Sequence, residues 1–263
     1  MKLTRRVSYG GVELDTVDAS IVIRSADPGV PKESISAASL FGGWGQRMTS
    51  QHWDMIEASV TFAIDLPKKS VAARRTVFDK AVKWAVNAAN HELTMTAMGT
   101  RKLIVDKVIV PGSGDLWNWT DEYTIGFRAY RVPFWQDATA TTVTDTLTAN
   151  TEKTKTVTVP GSAPNVLDVS FKNTANSATT TFEVNVNGKT LKLTSLNLAN
   201  GKFLLITHGT DDILRITEDG VSAYGKQTAG GAEDLYLKPG DNTVKVKAST
   251  AGEIILSCKG RYL

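Results

Sequence analysis

The chain has 263 residues, of which 41% are hydrophobic and 22% charged, so it is long and apolar enough to bury a core and is not a disordered polymer. Its net charge of +3 is too small for the concentrated basic stripe that marks a nucleic-acid binder. Cys258 is the single cysteine, which excludes an intrachain disulfide and a thiolate metal site built from one chain.

The opening Met1-Lys2-Leu3-Thr4-Arg5-Arg6 leads into Val7-Ser8-Tyr9-Gly10-Gly11 and not into an apolar segment, so no signal peptide is expected. No apolar run reaches the length of a membrane helix, so no membrane span is expected. Residues 12–15 and 20–24 read as short strands, and the turn formers of residues 26–31 end the second. Residues 27–46 show little periodicity and close on Phe41-Gly42-Gly43-Trp44-Gly45. A segment of that length is either functional or an extended arm, and its close reads equally as a glycine-rich turn with buried aromatics. Phe41 and Trp44, with Arg47 beside them, are candidate anchors on a neighbouring subunit, since buried aromatics often dominate interfaces.

Residues 52–66 form the clearest strand pattern, with Ile56, Ala58, Val60, Phe62, Ile64 and Leu66 alternating with polar residues. Pro67 ends it, and Ser70 is placed to cap a helix. Helical spacing then puts Phe78, Ala81, Val82, Ala85, Ala88 and Ala89 on one face with Trp84 on its flank, predicting one long helix over residues 70–90. Strands are expected at 92–98, 102–110 and 123–130, with a loop at 111–115.

Arg131-Val132-Pro133-Phe134-Trp135-Gln136-Asp137 divides the chain. Pro133 cannot donate to a ladder, and two large aromatics stand where a free linker would be rich in Gly and Ser. Pro133, Phe134 and Trp135 are therefore the candidate interdomain hinge, one that packs and does not swing. Domains are expected over residues 1–135 and 136–263. The second reads as helix-free, with a soft Thr-rich stretch at 139–156 that is either edge strand or connector. Short strands then recur at 155–159, 166–172, 180–186, 189–193, 203–207, 213–217, 234–237, 243–248 and 253–259. That spacing predicts a β-sandwich or barrel. Asn187-Gly188 and Pro239-Gly240-Asp241-Asn242 mark its sharpest turns.

Chemistry-bearing motifs are missing. His52, His91 and His208 have no metal-ligand spacing, and Gly-x-Ser-x-Gly and phosphate-loop patterns do not occur. Asp211-Asp212 and Glu233-Asp234 are acidic pairs at strand ends, and Cys258 lies in an alternating strand as an inert thiol. No catalytic, cofactor-binding or metal residues are expected, so the chain does not read as an enzyme.

Tyr9-Gly10-Gly11-Val12-Glu13-Leu14, the junction Arg131-Val132-Pro133-Phe134-Trp135, and the closing Leu235-Tyr236-Leu237-Lys238-Pro239-Gly240-Asp241-Asn242-Thr243-Val244 with Tyr262 carry a resemblance. In order and layout the chain resembles the distal tail protein family of long-tailed, non-contractile bacteriophages. The resemblance implies a mainly β chain with one long helix. Its first part would be a tail-tube-like β-sandwich or barrel with a flanking helix, the ring-forming domain; its second would be a galectin-like β-sandwich. It also implies a virion structural protein at the tail tip, assembled in the host cytoplasm as a hexameric ring. Its partners would be copies of itself, the tail-tube protein, the baseplate hub or tail-associated protein, and the receptor-binding protein. The family has no catalytic residues to carry over, and residues 136–263 contain no Trp, so the galectin sugar-binding motif is not transferred. Two alternatives are a carbohydrate-binding module acting in host attachment and a tail-tube protein with an added sandwich domain.

Overall fold

A computed structural model describes residues 5–31, 33–39, 46–66, 71–112, 122–228 and 235–263. The chain divides into two compact units, residues 1–135 with Leu263, and residues 136–262.

The first unit contains β1 (Val7–Tyr9), β2 (Val12–Glu13), α1 (Leu14–Val17), β3 (Ile21–Asp27), β4 (Glu33–Ser39), β5 (Gln46–Trp53), β6 (Ile56–Ile64), α2 (Val71–Val86), β7 (Glu92–Met95), β8 (Lys102–Ile104), β9 (Lys107–Ile109) and β10 (Glu122–Ala129). β11 (Trp135–Gln136) follows at the boundary. One sheet runs β3-β6-β10-β9, and β2-β1-β7-β8 run side by side in another. The alternation in β6 works as the period-2 argument requires. Ile56, Ala58, Val60, Phe62 and Ile64 are all buried, and Val60 and Phe62 sit opposite Ile125 and Tyr123 of β10. Helix α2 covers this face through Phe78, whose ring lies 5.1 Å from that of Tyr123. Trp84, Tyr9 and Phe127 form a second aromatic group, with centroids 5.1 to 6.1 Å apart. Burying each large apolar side chain stabilises the unit by about 1.5–3 kcal/mol.

Several expected elements differ. The segment at residues 12–15 leaves strand conformation after Glu13 and turns into the short α1. The buried stripe of α2 is Arg74, Val77, Phe78, Ala81, Trp84 and Ala85, and the helix ends at Val86, so Ala88 and Ala89 lie beyond it. Trp84 lies on the buried side, where its indole N–H donates to the Val12 carbonyl over 2.8 Å. The expected strand 102–110 breaks at Val105-Asp106 because its halves serve different sheets, β8 pairing with β7 and β9 with β10. The strand read at 52–66 breaks at Asp54-Met55, where the Asp54 carboxylate accepts the Met55 N–H and the Ser34 hydroxyl. The proposed cap Ser70 and the segment 116–119 lie outside the described residues.

The second unit contains β12 (Thr141–Leu147), β13 (Lys153–Val159), β14 (Asn165–Val166), β15 (Asp168–Asn173), β16 (Phe182–Val186), β17 (Lys189–Leu193), β18 (Phe203–His208), β19 (Leu214–Glu218), β20 (Val221–Ser222), β21 (Tyr236–Leu237), β22 (Gly240–Ala248), β23 (Gly252–Cys258) and β24 (Arg261–Tyr262). One sheet has the order β12-β23-β15-β18-β19-β20 and another β13-β22-β16-β17. Both contribute to a single core that includes Phe171, Val184, Leu191, Ile206, Val244 and Leu256, which makes the unit a β-sandwich. The soft stretch at 139–156 supplies the edge strand of each sheet, β12 and the start of β13. Few large residues are needed there, because an edge strand has one neighbour.

Candidate assembly surface

The junction is built from a carboxylate. Asp106, at the point where the chain leaves β8 for β9, accepts the backbone N–H of Tyr130 at 2.7 Å and of Arg131 at 3.0 Å. The Arg131 guanidinium pairs with the same carboxylate. Burial pushes the Asp106 carboxyl up, but the two backbone donors and the guanidinium outweigh burial and hold it below the usual carboxylate range. Beyond it Val132, Pro133, Phe134 and Trp135 are all buried. The Trp135 indole N–H donates to the Pro28 carbonyl over 3.0 Å. Phe134 meets Trp53 edge-on, with centroids 6.0 Å apart and planes at 74°. Within the second unit, Asp137 accepts the Tyr262 hydroxyl at 3.0 Å, and its N–H donates to the Gly260 carbonyl at 2.9 Å.

The segment read as an irregular arm contains a β-hairpin. Glu33 pairs with Trp53 and Ser39 with Gln46, with a register shift between Ser36 and Ala37. This ladder of β4 and β5 forms a sheet of its own, with no third strand among the described residues. A two-stranded ribbon is at best marginal alone in water and keeps two rows of backbone donors and acceptors for other strands.

No family model matches the chain, and neither does any curated protein. Among solved structures, the chain is similar to the Dit protein of phage SPP1, described as a paradigm of the hub adsorption apparatus in phages infecting Gram-positive bacteria. The two are 16% identical, the match covers 99% of this chain and 100% of that one, and the TM-score is 0.67. The chain has the Dit fold. A chain of the phage P2 baseplate in its activated conformation with Ca is more distant, at 8% identity over 98% of each chain with a TM-score of 0.47.

Of the residues singled out from the sequence, Pro133, Phe134 and Trp135 fall in one buried run of this Dit fold. Phe41 and Trp44 lie outside the described residues. Arg47 stands in β5 opposite Ala38, and its side chain lies outside the described part of the chain. Trp53 is the residue that sequence reasoning missed: at the base of the hairpin, it brings the arm and the junction stretch into contact through Phe134. Its signal was present in the sequence, as an aromatic immediately before the break at Asp54.

The remaining candidates are held in structural contacts. His91 Nδ1 lies 3.0 Å from the Tyr9 hydroxyl, and His208 Nδ1 lies 3.1 Å from Asp168. Asp211 pairs with Arg215, and Asp212 with Arg261. Burial, together with the nearby Asp168 charge, pushes the Cys258 thiol up, so the nucleophilic thiolate is disfavoured. The side chain of His52 and the pair Glu233-Asp234 lie outside the described part of the chain. Among the described residues no cluster of three or more His, Cys, Asp or Glu is placed to hold a metal ion, and no helix is long and apolar enough to cross a membrane.

Proposed function

We propose that this protein is a structural component of a phage virion: a distal tail protein whose copies form a hexameric ring at the tail tip. The ring joins the tail tube to the baseplate hub and carries receptor-binding proteins. It is assembled in the host cytoplasm and performs no catalysis. The observation that carries this reading is the end-to-end likeness to a protein of a hub adsorption apparatus, with both units included. In this reading the first unit is the tail-tube-like ring former and the second a galectin-like sandwich.

The β4–β5 ribbon supports self-assembly. A neighbouring copy that adds a strand satisfies its open edges and supplies the third strand that a stable sheet needs. Phe41, Trp44 and Arg47 are the proposed contacts on that neighbour. Native mass spectrometry of the full chain, followed by negative-stain imaging, tests the reading. Closed rings of six copies are expected. A monomer at micromolar concentration overturns the ring, and long open tubes favour a tube protein with an added sandwich domain.

A further inference from the structure

The outer face of the larger sheet of the second unit carries a groove of about 380 Å³, within the size range of small-molecule clefts. Strand register lays its floor out in two rows. Thr146, Glu253, Lys172 and Phe203 follow one another across β12, β23, β15 and β18. The adjacent row is Thr144, Ile255 and Ser170. Phe203 is 44% exposed and Ile255 41%, although the inward positions of the same strands are buried.

We propose that this groove binds a neutral oligosaccharide. The ligand class follows from how the side chains are mixed. Phe203 and Ile255 sit in different rows with hydroxyl and charged groups between them, so the floor has no continuous apolar patch of the kind that forms the core of a protein interface. Separated apolar platforms among hydrogen-bonding groups match a pyranose, which presents a C–H face to stack on an aromatic ring and hydroxyls around its rim. Thr144 and Ser170 donate and accept, Glu253 accepts, and Lys172 donates. The charges come in opposite-sign pairs: Lys172 lies 3.8 Å from Glu253, and Asp145 is engaged by Lys153 and Lys155. A groove neutralised in this way has no field to select an acidic glycan over a neutral one. Lys172 Nζ also stands 5.9 Å from the centre of the Phe203 ring, which holds stacking surface and donor side by side. The absence of Trp from this unit does not remove the site, because Phe203 supplies the aromatic platform.

The test is a glycan array probed with the full chain, carrying neutral hexose and N-acetylhexosamine oligosaccharides beside sialylated and sulfated ones, with calorimetry on any hit. Binding to a neutral glycan is expected. Phe203→Ala and Glu253→Gln should each weaken it by about tenfold or more. Lys247→Ala, on the other sheet, should leave it unchanged. Circular dichroism melts should be unaltered in all three, since each side chain is at least partly exposed. No binding to any neutral glycan, binding confined to acidic glycans, or binding indifferent to Phe203→Ala each overturns the site. None of these outcomes bears on ring formation, so the two readings fail separately.

Discussion

The side-chain amide of Asn187 donates to the side-chain oxygen of Asn242 over 2.8 Å, joining the two most sharply marked turns of the chain. Asn187 also closes on Thr243, its N–H donating to the Thr243 carbonyl and its side-chain oxygen accepting the Thr243 N–H. Asn242 is buried, and its amide donates to the carbonyls of Lys238 and Gly240. Asn242→Ala removes a buried side chain and with it the partner of each of these groups. It should lower the stability of the second unit by about 1–3 kcal/mol, read as a lower urea midpoint at unchanged slope. An unchanged midpoint would mean that water replaces the amide there.

Gly29 follows the turn whose Pro28 carbonyl receives the Trp135 indole. Its φ is +66°, and an added Cβ would stand 2.2 Å from the Glu57 carbonyl oxygen at the start of β6. Gly29→Ala therefore combines backbone strain with a backbone clash, and a loss of about 1–3 kcal/mol or more is expected in thermal unfolding. Trp135→Phe keeps an aromatic ring but removes the donor to Pro28 and part of the buried ring volume. It should cost about 1–3 kcal/mol, against about 3–5 kcal/mol for Trp135→Ala.

The junction stretch has a test that spares the core. Trp135 is held in the first unit and Asp137 in the second, and only Gln136 lies between them. Inserting a short Gly-Ser segment after Gln136 should broaden the pair-distance distribution in small-angle scattering while both units remain folded. An unchanged distribution would reduce the stretch from a fixed hinge to a simple boundary.

Asp106 makes stability sensitive to acid. Its carboxyl titrates lower in the folded chain than in the unfolded one, so its contribution is present above the unfolded value of about 3.9. That contribution is lost as pH falls through the lower folded value. Asp106→Asn, which lacks the charge throughout, should lower stability at pH 7 and flatten the decline between about pH 4 and the folded value. Parallel acid limbs for the two proteins would show that Arg131 and Tyr130 do not stabilise this charge.

Deleting residues 32–46 removes β4 and the start of the hairpin. In the ring reading, the deletion variant should sediment as a monomer under conditions where the intact chain assembles. An unchanged oligomer would place the contacts elsewhere.

Elements in which a single pattern dominates were legible from the chain alone. β6 was legible because one buried and one solvated face force strict alternation. The Asn187-Gly188 turn was legible because positive φ at both positions selects those residues. The two compact units meet in sequence at Trp135-Gln136, in the stretch where a proline is followed by aromatics.

Features that depend on a distant partner emerged only on folding. The buried stripe of α2 takes in Trp84, whose indole donates to the carbonyl of Val12, a residue distant in sequence. The break at Val105-Asp106 arises because β8 and β9 pair with different neighbours. The hairpin of β4 and β5 was hidden because Glu33-Ser34-Ile35-Ser36-Ala37-Ala38-Ser39 has too little apolar contrast to reveal a strand, and its pairing rests on backbone hydrogen bonds. The groove of the second unit escaped sequence reading for the same reason: Phe203, Lys172 and Glu253 are neighbours only through strand register, and register is a property of the assembled sheet.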